Sequence, residues 1–516
     1  MSNARILWAD DEIEHLTPHI IFLESKGYSV TKASNGNDAL DILESGEAFD
    51  IIFLDENMPG LSGLETLERI KMDSPNLPVV MITKSEEEYI MEDAIGSKIA
   101  DYLIKPVNPN QILLSLRKTL EGKKLIGQRV FTNYTKNFGS ISMELNAARD
   151  LEDYMKLFEK LTYWGIELGS SEDSGLKEML ESQLSEANNE FAKFIKKNYE
   201  DLIGDTDNET FSHNILGKHF FPEVKAGEKN LLVVVDNLRF DQYQILKESI
   251  QEIANLQKEG LYSSILPTAT QFARNSLFAG MLPNDIKRVM PQYWVDENES
   301  DKKNAFEQEL LAENMKRNKI GGAMKYFKVS SLNFGKKLAD SFETHKEADV
   351  ICLVYNFVDM LSHARTEMEV IKELASDEEA YRSITKSWFE RSPLLDIIRK
   401  SLAMGYKLFI TTDHGTVRCK TPITVVGDKN TSTNLRYKQG KNLNYKAKEV
   451  FAITNPEDAG LPKVDLSSSY IFALGDSYFV YPNNKNQFVK FYLNTFQHGG
   501  VSLEEMLIPY GYFTAK

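Results

Sequence analysis

Leu231-Leu232-Val233-Val234-Val235-Asp236-Asn237-Leu238-Arg239-Phe240-Asp241 decides how most of this chain is read. Five consecutive apolar residues, three of them β-branched, predict a strand covered on both faces. The run stops at a carboxylate. Val350 to Tyr355 and Leu408 to Thr412 repeat the pattern, and Asp413 follows the second of them. Buried runs separated by helical patterns predict a parallel sheet, whose functional residues belong at the carboxyl ends of its strands.

Four further segments supply polar chemistry. They are LPTATQFARN (266–275), FVDMLSHA (357–364), TTDHG (411–415) and QHGG (497–500). With Asp236 they offer the carboxylates Asp359 and Asp413, the imidazoles His363, His414 and His498, and a hydroxyl. That set suits two divalent metals with a nucleophile between them. Asp359 and His363 are four apart and share a helix face. Asp413 and His414 are adjacent and diverge, so they either serve two metals or hold one from a loop. Thr270 precedes a helical pattern, where free N–H groups favour a phosphate; Thr268 is the competing hydroxyl. Mixed His/Asp ligation favours zinc, and Mn²⁺ is compatible with the same ligand types. His213, His219 and His345 lie outside these segments and read as structural.

Order and spacing of these segments resemble the alkaline phosphatase superfamily, and within it the PglZ-type domain. The resemblance implies one zinc on Asp236, Thr270, Asp413 and His414, and a second on Asp359, His363 and His498. It implies Thr270 as the nucleophile, with Arg239, Arg274 and Asn275 as candidate contacts to substrate oxygens. The superfamily usually has glycine after its first aspartate, and here Asn237 stands there. A threonine nucleophile disfavours the sulfatase and phosphoglycerate mutase branches and favours the nucleotide phosphodiesterase and phosphonate branches. Few cations flank it, so diesters are expected over monoesters.

The N-terminal stretch (1–122) also alternates strands and helices, with strand runs at Arg5 to Ala9, Asp50 to Leu54, Pro78 to Ile82 and Asp101 to Ile104. Asp10, Asp11 and Asp55 fall at strand ends and can hold Mg²⁺. Lys105 supplies a cation for phosphate oxygens, Thr83 a mobile hydroxyl, and Tyr102 an aromatic that can follow it. These residues resemble the receiver domain of two-component response regulators, which implies phosphorylation at Asp55 by a sensor histidine kinase. Lys84, after Thr83, replaces the small residue usual in receivers.

Between the two, residues 123–205 show helical periodicity at Leu151, Tyr154, Met155, Phe158, Leu161 and Trp164. It recurs at Leu176, Met179, Leu180, Leu184, Ala187, Phe191, Phe194 and Ile195. A turn at 169–175 separates them, with Ser171 or Asp173 as N-cap. No basic recognition helix is evident, so no direct DNA-binding domain is expected. Residues 427–449 read as a basic inserted loop or cap, and Lys438, Lys441 and Lys446 as contacts for an oligonucleotide or as a solvated loop.

The expected fold is thus α/β in three parts: a flavodoxin-like receiver (1–122), a helical bundle (123–205) and an alkaline phosphatase-like α/β domain (206–516). A net charge of −16 argues against non-specific nucleic-acid binding by the whole surface. Two cysteines, Cys352 and Cys419, fit a reducing compartment. The first residues turn acidic without a signal-peptide core, so a cytoplasmic protein is expected. The order of parts resembles PorX-type response regulators of type IX secretion. That resemblance implies a phospho-dependent homodimer acting as a nucleotide or oligonucleotide phosphodiesterase. The second class it leaves open is an adaptor for a sigma factor or secretion-motor protein, with structural zinc.

Overall fold

The computed structural model describes all residues except 1–3, 85–98, 170–173, 225–227, 297–302, 376, 429–430, 464–466 and 484. For 121–130, 365, 367, 369, 370 and 372 it describes the backbone alone. The chain forms two compact units, 1–135 and 136–516. One continuous helix, Pro109–Ala147, runs through the boundary expected at 122/123. The caps expected at Ser171 or Asp173 lie outside the described residues.

In the first unit, β1 (Arg5–Ala9), β2 (Ser29–Ala33), β3 (Ile51–Asp55), β4 (Val79–Thr83) and β5 (Asp101–Ile104) form a parallel sheet in the order β2-β1-β3-β4-β5. β3 and β4 are buried along their whole length and begin one residue later than the apolar runs suggest. Apolar clusters line both faces of the sheet, one around Leu54 and Met81, the other around Trp8 and Phe53. The order reverses between β1 and β3, which opens a crevice at their carboxyl ends.

In the second unit, β6 (Lys229–Val235), β8 (Met324–Val329), β9 (Val350–Tyr355) and β10 (Tyr406–Thr411) run parallel. The C-terminal strand Leu507–Ala515 joins β10 antiparallel, and β7 (Ala254–Ser263) joins that strand. The order is β7, Leu507–Ala515, β10, β6, β9, β8. The two edge strands, β7 and β8, are half exposed.

The helices Leu151–Glu167 and Ser174–Gly204 belong to this same unit. Asp150 caps the first by accepting from the Asp153 N–H. Tyr154 packs its ring on Phe191 and Phe194. Tyr199 accepts from the Leu266 N–H at 2.7 Å, and Asn188 Oδ1 from the Leu503 N–H at 2.8 Å. These bonds hold the bundle on the sheet domain. Met179, expected on the apolar face, is instead exposed.

The segment 427–449 is not a solvated loop throughout. Tyr437–Gly440 pairs with Ser469–Ala473 in a small sheet. Arg436 is fully buried because Glu505 pairs with it, and Lys438 is buried because it donates to Ser432 O over the Tyr481 ring. Lys446 pairs with Glu449 at the surface. Lys438 is therefore unavailable to an oligonucleotide. No helix among the described residues is long and apolar enough to cross a membrane.

Candidate metal centre and phosphorylation site

Among the described residues, three groups bring ligand atoms within 4.8 Å of one another: Asp10, Asp11 and Asp55; Asp236, Asp413 and His414; and Asp359, His363 and His498. These are the three sets expected from the sequence. His213, His219 and His345 belong to none of them. Burial pushes His213 and His219 down to about 4, so both are neutral at physiological pH.

In the receiver crevice, Lys105 Nζ lies 2.8 Å from Asp10 and 3.0 Å from Asp55. Asp55 Oδ1 is buried with no hydrogen-bond partner among the described residues. Burial raises Asp55 to about 6, with Lys105 opposing and Asp10 adding to the rise. An under-neutralised carboxylate facing two others suits Mg²⁺. Tyr102 shares a hydrogen bond with Thr83, as a coupled hydroxyl and aromatic require. Lys84 pairs with Glu12 at 3.2 Å, beside Asp11.

In the second unit, Asp236 directly follows β6 and Asp413 stands two residues beyond β10. Asp359 lies in the helix Phe357–Glu367, which follows β9. Three adjacent parallel strands thus bring their carboxyl ends to one place. Asn237 has φ of +66°, a left-handed turn that asparagine tolerates better than most residues. Glycine would serve the same turn, which accounts for the substitution. Asparagine adds contacts: its N–H reaches Asp413 Oδ1 at 3.2 Å, and its Nδ2 reaches Asp359 Oδ1 at 3.3 Å. It therefore ties the two ligand groups together.

The donor atoms fit cations. Asp236 gives Oδ2 to Arg274 Nη1 at 2.5 Å, while its Oδ1 is buried without a hydrogen bond. Asp413 Oδ1 takes the Asn237 and His414 N–H groups, and its Oδ2 is likewise without one. His414 Nδ1 faces Gly415 O at 3.2 Å, and His498 Nδ1 faces Thr268 O at 3.0 Å. A carbonyl only accepts, so both rings carry their proton on Nδ1 and present an Nε2 lone pair. Burial pushes His414 down to about 4 and His498 down to about 3. Burial also raises Asp236, Asp359 and Asp413. Neutral imidazoles and strained carboxylates in contact are what divalent cations would stabilise. The two imidazoles stack at 4.2 Å, so the groups lie side by side. Gly499, with φ of +122°, turns the chain sharply after His498.

Thr270 opens the helix Thr270–Ala279, and its Oγ1 lies 3.1 Å from His414 Nε2. It lines an open pocket of about 830 Å³ together with Asp236, Asp359 and His363. Thr268 is committed elsewhere. It donates to Gly500 O and accepts from the Gly499 N–H, which holds the His498 loop.

Two of the three expected substrate contacts take other roles. Arg239 pairs with Asp241 and Glu378 and lines a separate cavity of about 320 Å³ against the bundle helices. Its buried charge needs those partners and points away from the metal pocket. Asn275 bonds Lys303 O and Asn304, which braces the pocket wall. Arg274 lines the pocket but spends Nη1 on Asp236 and Nε on Glu307. Buried Glu307 also takes Lys328, at 3.1 Å, and the Tyr326 hydroxyl. Lys303, Asn304, Tyr326 and Lys328 line the same pocket and were not singled out from the sequence. The one sequence signal for Lys328 is a cation near the end of a strand, and on an edge strand that reads as solvation.

Residues 215–513, more than half of the chain, match the family model of the BREX system PglZ alkaline phosphatase-like domain. The chain belongs to the PglZ alkaline phosphatase-like family. Ahead of the PglZ domain, residues 124–203 match the PorX response regulator linker domain and residues 6–117 the response regulator receiver domain. This is the architecture of a PorX-type response regulator. A receiver implies a phosphodonor such as a histidine kinase.

Among curated proteins, the chain is similar to the alginate biosynthesis transcriptional regulatory protein AlgB of Pseudomonas syringae pv. tomato. Identity is 36% over 124 residues, which is 24% of this chain and 28% of that protein. The transcriptional regulatory protein ZraR of Klebsiella oxytoca is 33% identical over 136 residues, 26% of this chain and 30% of that protein. The chain thus spans less than a third of the length of these relatives. Among solved structures, chemotaxis protein CheY4 of Vibrio cholerae is 29% identical with a TM-score of 0.22, covering 23% of this chain and 100% of that one.

Proposed function

We propose that this response regulator is a zinc-dependent phosphodiesterase acting on nucleotide or oligonucleotide diesters, and that phosphorylation at Asp55 controls its dimerisation and activity. The observation that carries the reading is the placement of Thr270 in one pocket with ligands of both metal groups. Asp236, Thr270, Asp413 and His414 would hold one zinc, and Asp359, His363 and His498 the other. Bound zinc would supply positive charge for the attacking and departing oxygens.

The chain's own residues do the rest. Thr270 gives its hydroxyl proton to water as Oγ1 attacks phosphorus in line; one P–O bond forms, the P–O bond to the leaving group breaks, and the leaving oxygen departs with its electron pair and takes a proton from water. The first N–H groups of the helix Thr270–Ala279 favour negative charge at that point. Water then cleaves the threonyl ester and regenerates the hydroxyl. Arg274 fixes Asp236 from behind. Of the cations lining the pocket, Arg274 and Lys328 are already paired with carboxylates, and Lys303 has no carboxylate partner among the described residues. Scant free positive charge suits the single charge of a diester over a monoester dianion. His363 is 65% exposed, which fits a site that admits substrate better than a closed structural zinc in an adaptor.

Two measurements test this. Elemental analysis should find two zinc ions per chain and fewer in Asp359→Ala, and the wild type should turn over bis-p-nitrophenyl phosphate faster than p-nitrophenyl phosphate. Full metal content in the variant, or a monoester preference, would defeat the assignment. For the switch, beryllofluoride should raise the mass seen by light scattering toward a dimer, because a receiver acts by shifting the population of an interaction surface. Unchanged mass with beryllofluoride bound would remove the dimer from the proposal. The link to type IX secretion rests on the PorX-type architecture.

A further inference from the structure

A second groove, of about 560 Å³, lies beside the metal pocket and takes no part in the chemistry above. It is lined by Leu332, Ser383, Ile384, Ser387, Trp388, Arg391 and Ser392. Two links place it next to the pocket. Lys328 lines the pocket and Leu332 lines the groove, four residues later, a span of at most about 14 Å. On the other side Trp388 stacks on Phe357 with ring centres 4.0 Å apart and planes 3° apart. Phe357 follows Asn356, which lines the pocket, and opens the helix that carries Asp359 and His363.

The groove's composition is unusual for a chain of net charge −16. No carboxylate lines it among the described residues. Arg391 is exposed, and its guanidinium has no hydrogen-bond or ion-pair partner among the described residues. The Ser383 and Ser387 hydroxyls lie four residues apart on the helix Glu378–Glu390. Leu332 begins the ten-residue helix Leu332–Ser341, so that helix turns its positive end to the groove. Trp388 is only half-buried and Leu332 is 56% exposed. A flat π surface, an apolar wall, an unspent guanidinium and free hydroxyls together match a base and its phosphate.

We propose that this groove binds a nucleotide flanking the scissile bond of a single-stranded oligonucleotide, with the base on Trp388 and the backbone phosphate on Arg391. The proposal rests on reading the metal centre as a phosphodiesterase. It makes the enzyme selective for oligonucleotides over small diesters. A bis-p-nitrophenyl ester reaches the metal pocket and has nothing to place in the groove.

The test uses the full-length, zinc-loaded protein and the ratio of specificity constants for a short single-stranded oligonucleotide and bis-p-nitrophenyl phosphate. Trp388→Ala should lower that ratio roughly 5- to 150-fold, the range for losing one base–aromatic stack, through KM for the oligonucleotide. Trp388→Phe should restore much of it. Arg391→Ala and Arg391→Glu change a surface residue and should lower the ratio in that order, with a weaker salt dependence. An unchanged ratio in both Trp388→Ala and Arg391→Glu would overturn the groove. A wild type that cleaves neither substrate would overturn the phosphodiesterase reading instead. Anisotropy of a labelled oligonucleotide on Thr270→Ala, with and without Arg391→Glu, then judges the groove on binding alone, and equal affinities would reject it.

Discussion

Thr270→Ala should lower kcat for bis-p-nitrophenyl phosphate on the order of 10³- to 10⁶-fold, the range seen when a covalent nucleophile is removed. Zinc should stay bound, because Asp236, Asp413 and His414 remain. Thr270→Ser keeps a hydroxyl at the helix start and should retain measurable turnover. Thr268→Ala gives the contrast. Its hydroxyl bonds Gly500 O and the Gly499 N–H, so its loss should loosen His498 and lower zinc content. Paired measurements of kcat and metal content on the three variants separate these roles. A Thr270→Ala protein that keeps wild-type turnover would remove the nucleophile from the mechanism.

The second large effect concerns stability. Arg274 is 1% exposed and lies between Asp236 and Glu307, with Asp413 at 3.6 Å. Arg274→Met keeps most of the volume and removes the charge, leaving carboxylates buried without their counter-ion. Breaking such a pair costs roughly 3–5 kcal/mol. Urea unfolding of the metal-free second unit, followed in the full chain, should show the loss. Zinc should restore part of it, since a ligand that binds only the folded state stabilises that state. A change of less than about 1 kcal/mol would mean that the network relaxes around the missing charge.

Most of the candidate ligands were legible because they lie beside strong local signals, and the resemblance to the alkaline phosphatase superfamily grouped the zinc ligands into sets. Asp55 ends the buried run Ile51–Asp55, Asp236 follows Lys229–Val235, and Asp359 and His363 share one helix face. Local pattern left Thr268 and Thr270 in competition, and the resemblance alone chose Thr270. Both hydroxyls sit in one short segment, and only Gly499 and Gly500, some 230 positions later, show that Thr268 is already spent. Arg239 and Asn275 read as substrate contacts because they stand near the ligands in sequence. Their partners, Glu378 and Asn304, come from elsewhere and turn them away. Lys438 illustrates the same limit, since a basic residue in a polar stretch reads as solvated until a tyrosine ring and a carbonyl cover it.

By itself the sequence determined the central parallel strands of both sheets, the helical stretch between them and the residues of the three candidate ligand sets, which the family resemblance then grouped. Apolar period and strand-end position are local properties, written in runs of five or six residues. Only the tertiary structure showed that Thr268 is spent on the His498 loop and that Arg274 serves Asp236 and Glu307. It alone showed that Asn237 joins the two candidate ligand groups and that Lys328 lines the pocket. The physical reason is the same throughout. A buried polar atom's role is set by the partner that satisfies it, and here that partner usually lies tens to hundreds of residues away.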